Sequence, residues 1–190
     1  LTVSSVPSNV SCFGLNDGSI DLTISGGTSP SVSWTSINGY TSSSSNISNL
    51  SPDVYTATID DLNFCGPITE PFVISEPPEV TIFGTPYDNS CFNSNDGSIA
   101  LVTTGTNLSW NWTGPNSFIS NQEDISNLIA GTYIVTVSDA STPPCIETET
   151  YVVNEPSDIV VTNVPYHVSC FGFNDGSITV NPTGGTPPYE

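Results

Sequence analysis

Ser11-Cys12-Phe13-Gly14-Leu15-Asn16-Asp17-Gly18-Ser19-Ile20 is a stretch that this chain writes three times. It returns as Ser90-Cys91-Phe92-Asn93-Ser94-Asn95-Asp96-Gly97-Ser98-Ile99 and as Ser169-Cys170-Phe171-Gly172-Phe173-Asn174-Asp175-Gly176-Ser177-Ile178. The interval is 79 residues from Cys12 to Cys91 and again from Cys91 to Cys170. A fixed period of this kind marks a tandem array. Copies are expected at 1–78, 79–157 and 158–190, the last being the opening part of a third.

Composition narrows the partners. The 190 residues hold no Lys or Arg against 19 Asp and Glu, for a formal charge of −19. With nothing to neutralise phosphates, nucleic acid is excluded as a partner, and so is attraction to anionic lipid headgroups. No run approaches the roughly 18 apolar residues needed to span a bilayer, so no membrane insertion is expected in this segment. No charged and then apolar leader opens it either, so any signal peptide lies outside it. Charged residues are only 10% and hydrophobic ones 36%, which is the balance of packed domains and not of an acidic tail.

Cysteine spacing points to an oxidising, extracellular setting. Cys12 and Cys65 stand 53 residues apart, Cys91 and Cys145 stand 54 apart, and Cys170 opens the third copy. Zinc would want four clustered ligands in close pairs, which are missing here. The expectation is one disulfide within each copy, Cys12–Cys65 and Cys91–Cys145. Each would be worth on the order of 4 kcal/mol to a unit whose own core is small. Without Lys there can be no Lys–Asn isopeptide bond, so covalent reinforcement has to come from cysteine.

Within a copy the pattern is β throughout. Leu1-Thr2-Val3 reads as a short first strand ended by Pro7, and Asn16-Asp17-Gly18 as a tight turn. Ser19-Ile20-Asp21-Leu22-Thr23-Ile24-Ser25 alternates polar and apolar residues, the period of a half-buried strand. Gly26-Gly27-Thr28, Gly105 and Gly184-Gly185-Thr186 then turn the chain. Ser33-Trp34 is matched by Ser109-Trp110-Asn111-Trp112, and one central tryptophan is expected in each copy, with Trp110 and Trp112 on the same sheet face. Leu50 and Tyr55, then Leu128 and Tyr133, open alternating strands in the manner of a tyrosine corner. About seven short strands and no helical periodicity compose an all-β fold, tandem immunoglobulin-like Greek-key β-sandwiches. Glu76-Pro77-Pro78-Glu79 and Glu155-Pro156-Ser157-Asp158 read as semi-rigid junctions, and an extended rod follows.

Together, Cys-Phe-Gly-x-Asn-Asp-Gly-Ser-Ile, Gly-Gly-Thr-x-Pro, Ser-Trp, Leu-x-x-Gly-x-Tyr-x-Val-x-Val-x-Asp, a second Cys and a closing Glu-Pro resemble the SprB repeat. The resemblance covers essentially the whole chain, with modest departures such as Asn93-Ser94 and Asp53. It implies a very long, repetitive adhesin on the surface of gliding bacteria, exported by type IX secretion. It names no ligand.

Catalysis finds little footing. His167, the lone histidine, has Asn9 and Asp88 as its counterparts, and a general base would not vary so within one chain. Asp17, Asp96 and Asp175 recur, as do Asp60-Asp61 and Asp139, and loop carboxylates suit structural calcium. Asn-Asp-Gly nevertheless serves a turn for backbone reasons alone. Trp34, Trp110 and Trp112 could stack on a sugar if exposed, though a recurring Trp favours the core.

The expected function is a non-enzymatic stalk segment of an extracellular adhesin or surface filament, with neighbouring repeats as its partners and no cofactor. Competing readings are a carbohydrate-binding or calcium-dependent module facing surface polysaccharide, and self-assembly into filaments by strand exchange.

Overall fold

The alternation at Ser19–Ser25 becomes a strand in the computed structural model, which describes residues 1–63 and 66–189. In β2 (Gly18–Ser25), Gly18, Ile20 and Leu22 are buried while Asp21 and Thr23 face outward, as a period of two requires. β1 (Thr2–Ser8), β2 and β5 (Ile47–Leu50) form one antiparallel sheet in the order β1-β2-β5. β3 (Ser31–Ser36), β4 (Thr41–Ser42), β6 (Asp53–Asp60) and β7 (Ile68–Ile74) form a second, ordered β4-β3-β6-β7.

The second copy repeats the arrangement. β8 (Thr81–Tyr87), β9 (Gly97–Thr104) and β12 (Ile125–Leu128) make the three-stranded sheet. β10 (Ser109–Gly114), β11 (Phe118–Ser120), β13 (Gly131–Ser138) and β14 (Ile146–Val153) make the four-stranded one. β15 (Val160–Tyr166) and β16 (Ser177–Thr183) pair as a hairpin. Each of the first two copies thus has the seven strands expected, and the described residues include no α-helix.

Two aromatic devices recur in the core. Tyr55 donates its hydroxyl hydrogen to the Ser51 carbonyl at 3.0 Å, and Tyr133 does the same to Ile129 at 3.0 Å, the tyrosine-corner bond. Trp34 and Trp112 are buried, and their indole N–H groups donate to Ser44 at 2.9 Å and Gln122 at 3.0 Å. Trp34 pairs across strands with Ser42 and Trp112 with Ser120, so the true counterpart of Trp34 is Trp112. Of the two tryptophans in Ser109-Trp110-Asn111-Trp112, the second is therefore the central one. Trp110 occupies the place of Val32 and is half-buried.

Two local expectations are corrected. Pro7 does not end β1, since it pairs with Ile20 in an unbroken register. β1 is an edge strand, where the missing N–H of proline is tolerated. Nor is the glycine of Asn-Asp-Gly the one in the left-handed conformation. That role falls to Gly14 at φ +74°, with Asn93 at φ 55° in its place in the second copy. Gly18 is glycine for want of room, because a Cβ there would lie 2.8 Å from Ile74 Cγ2 and 2.9 Å from the Leu50 carbonyl.

The chain divides into two compact units that do not follow the sequence copies. Unit 1 is Leu1–Thr81 with Thr104–Leu108 and Ser138–Ile146; unit 2 is Ile82–Thr103, Ser109–Val137 and Glu147–Glu190.

The glycine assignment predicts opposite outcomes at neighbouring positions. Gly18→Ala should cost about 1–3 kcal/mol in urea denaturation, as overpacking does. Gly14→Asn should be nearly neutral, because Asn already serves at that φ in the second copy. Equal losses at both positions would refute the assignment.

Candidate functional site

The site is the loop that holds the first cysteine of each copy. It begins where β1 leaves its sheet. Asn9 Oδ1 accepts the Ser75 N–H at 3.0 Å, and the Val10 N–H donates to the Ser75 carbonyl at 3.0 Å. The Asp17 carboxylate accepts both the N–H (2.9 Å) and the hydroxyl of Ser11. The Leu15 N–H closes a turn onto the Cys12 carbonyl at 3.2 Å. Finally Glu76, the first junction acid, accepts the Gly14 N–H at 2.8 Å.

The second copy builds the same loop from partly different residues. Asp88 accepts the Asn154 N–H at 2.8 Å, and the Asn89 N–H donates to the Asn154 carbonyl at 2.9 Å. Asp96 takes the Ser90 N–H at 3.1 Å, and Glu155 takes the Asn93 N–H at 2.7 Å. In the third copy Asp175 again caps Ser169, from N–H at 3.0 Å and hydroxyl at 2.6 Å. Asn9 and Asp88, the counterparts of His167, are therefore acceptors for a backbone N–H 66 residues on. This explains why unrelated polar residues can share that position.

These bonds set the acidity of the aspartates. The Ser11 hydroxyl and N–H hold Asp17 below the ordinary carboxylate range, and Ser169 does the same for Asp175. Hydroxyls of Ser90 and Ser94, with the Ser90 N–H, lower Asp96 to about 2. Asp139 is lowered first by the Ser141 hydroxyl and then by the Cys145 N–H, which it accepts at 2.8 Å. The acids singled out for calcium are thus engaged as loop acceptors. Asp61 accepts the Thr28 N–H at 2.6 Å, and Asp60 accepts the Asp61 N–H at 3.0 Å. Among the described residues no three His, Cys, Asp or Glu side chains converge on one point. Trp34, buried in the core, offers no face to a sugar.

The cysteine pairing differs from the expectation. Cys12 is bonded to Cys145, 133 residues away, with Cα atoms 5.6 Å apart, and both lie in unit 1. Cys91 and Cys170 are exposed free thiols, and Cys65 lies outside the described residues. Strand length gives the physical reason. The Cys91 loop is bonded to Asn154 and Glu155, just past the end of β14, whereas Cys145 sits just before its first residue. Eight residues of strand at about 3.3 Å each separate those places by roughly 25 Å. A disulfide needs Cα atoms within about 7 Å, so Cys91–Cys145 cannot form. Cys12, tied to Ser75 and Glu76, stands likewise past the end of β7. Asp139 shapes the loop that delivers Cys145, accepting the N–H groups of Ser141 (3.1 Å) and Cys145.

Fold and site together define a tandem all-β protein in which one disulfide, Cys12–Cys145, joins the first sequence copy to the second. The SprB repeat family model matches residues 4–39 and 162–190, the openings of the first and third copies. No curated protein matches the chain. Among solved structures it is similar to the three N-terminal domains of the bacteriophage RB49 highly immunogenic outer capsid protein (Hoc). Identity there is 13% over 98% of this chain and 69% of that one, with a TM-score of 0.45. It is also similar to the BSP domain of a biofilm associated protein, at 15% identity and a TM-score of 0.28. That match covers 80% of this chain and 30% of the other. Both scores are too low to carry an argument about function.

The pairing can be read by proteolysis, with the caution that trypsin finds no Lys or Arg to cut. Cleavage after glutamate without reduction should join fragment 1–79 to 124–147 and leave 80–123 separate. A 80–123 fragment joined to 124–147 would restore pairing within copies.

Acid should loosen the loops. With folded values below the unfolded carboxylate value of about 3.9, these aspartates stabilise the fold fully above that pH. Their contribution is lost as pH falls from about 4 through 2. The melting temperature should decline over that window, and Asp96→Asn should shrink the decline. An unchanged decline in Asp96→Asn would count against the role of this carboxylate.

Proposed function

We propose that this chain is a stalk segment of a repetitive cell-surface adhesin, acting mechanically and without catalysis. The observation that carries the reading is the SprB repeat match at residues 4–39 and 162–190. The units are read as immunoglobulin-like Greek-key sandwiches repeating every 79 residues, with boundaries at 1–78, 79–157 and 158–190. Seven strands per copy and the paired tyrosine corners support that reading.

The physical requirements of a stalk are met by residues already described. A disulfide between copies resists separation under load, and in the chain-entropy model a closure of 133 residues is worth about 5 kcal/mol. Glu76 and Glu155, at the Pro-containing junctions, each bind back to a cysteine loop and so shorten the free linker. A surface with 19 acids and no Lys or Arg repels its like and suppresses sideways association. No helix among the described residues is long and apolar enough to cross a membrane. Surface carriage, gliding and attachment to polysaccharide belong to the same proposal.

Antiserum raised against the 190-residue chain should label intact source cells before permeabilisation, and removal of the protein should reduce their attachment to a surface. Labelling only after permeabilisation would overturn the surface assignment.

A further inference from the structure

The second copy carries a cysteine that the disulfide between copies does not use. Cys91 sits in a loop built like that of Cys12: a turn closed by Ser94 N–H onto the Cys91 carbonyl at 3.2 Å, an aspartate cap, and a glutamate 62 residues on. Its thiol is exposed. Cys145 cannot reach it within the copy, and is already bonded to Cys12. Beside it is a cleft of about 280 Å³ lined by Phe92, Pro156, Ile159, Gly185 and Thr186. Ile159 and Gly185 belong to the opening of the third copy. In unit 1 the corresponding residues are Val80 and the 104–108 loop, and the loop 138–146 with Cys145 belongs to that same compact unit.

We infer that the first cysteine of each copy is bonded to the second cysteine of the copy after it, so that Cys91 is the next rung of a staggered disulfide ladder. Its partner is the cysteine of the β13–β14-type hairpin of the third repeat in the same polypeptide. The bond forms by thiol–disulfide exchange. A small-molecule disulfide such as oxidised glutathione accepts two electrons, leaves as two thiols, and the two cysteine protons pass to them. A ladder of this register has a consequence that pairing within copies lacks. Every junction is spanned by a covalent bond as well as by the backbone, so a pull is borne by both.

The inference stands on the Cys12–Cys145 bond and not on the adhesin reading, and its test leaves surface labelling untouched. The 190-residue chain is extended by residues 112–157 of its own second copy, which completes the third copy in register. The added segment carries Ile146→Val as a mass tag. After oxidative refolding with glutathione, alkylation and cleavage at glutamate, fragment 80–123 is expected to be joined to the tagged hairpin fragment. Alkylation of Cys91, stoichiometric in the 190-residue chain, should fall to a residue. The Cys12–Cys145 cross-link in the same digest reports correct folding. With that link present, a tagged hairpin joined to the Cys170 fragment, or a freely alkylated Cys91, overturns the ladder. If the extended chain does not fold, a non-reducing digest of the protein from its native source decides. Cys91 joined to a hairpin cysteine from outside residues 1–190 supports the ladder; Cys91 free, or joined to fragment 1–79 or 124–147, refutes it.

Discussion

The N–H groups of Gly14 and Asn93 each donate to a glutamate 62 residues later, at 2.8 and 2.7 Å. That bond, with the backbone pair between Val10 and Ser75, holds the first cysteine at the end of its sandwich where the chain leaves for the next copy. Held there, Cys12 faces residues that come after the junction, and its covalent partner is chosen by position. The exposed carboxylates of Asp17 and Asp96 serve the same end, because each satisfies the N–H of the serine before the cysteine.

Substitutions between the copies show what the loop requires. Asn9 and Asp88 differ in charge but both accept the same backbone N–H. Gly14 and Asn93 differ in side chain but both accept positive φ. Gly18 and Gly97 do not vary, since a Cβ at either would press on buried atoms of its own copy: Ile74 at 2.8 Å in one, Asn89 Oδ1 at 2.6 Å in the other. The repeat is therefore conserved in its bonds and its volumes more than in its letters.

A protein built this way places its chemistry in cohesion. Asp17, Asp96, Asp139 and Asp175 are engaged as loop acceptors, Trp34 and Trp112 are sealed in the core, and Cys12 reaches Cys145 of the following copy. Trp34 and Trp112 contact Phe72 and Tyr151 at ring-centroid distances of 5.6 and 6.1 Å, a Trp–Phe pair in one sandwich and a Trp–Tyr pair at the equivalent place in the other. The surface left over is acidic and uninterrupted by positive charge.

The linear sequence by itself determined the period, the β class, the strand count and the tyrosine corners. Each of these is a local pattern or a recurrence, and alternation such as Ile20-Asp21-Leu22 is a property of neighbours along the chain. Register shifts of two residues were beyond it, because Trp110 and Trp112 lie on one face and only the pairing of Trp112 with Ser120 tells them apart. The disulfide partners were also beyond it. Spacings of 53 and 54 residues look alike in both copies, yet spacing carries no information about which end of a sandwich a loop occupies. Only the tertiary structure decided that, because the length of β14 sets Cys91 and Cys145 at opposite ends while the hydrogen bonds of Ser75 and Glu76 bring Cys12 within a bond of the following copy.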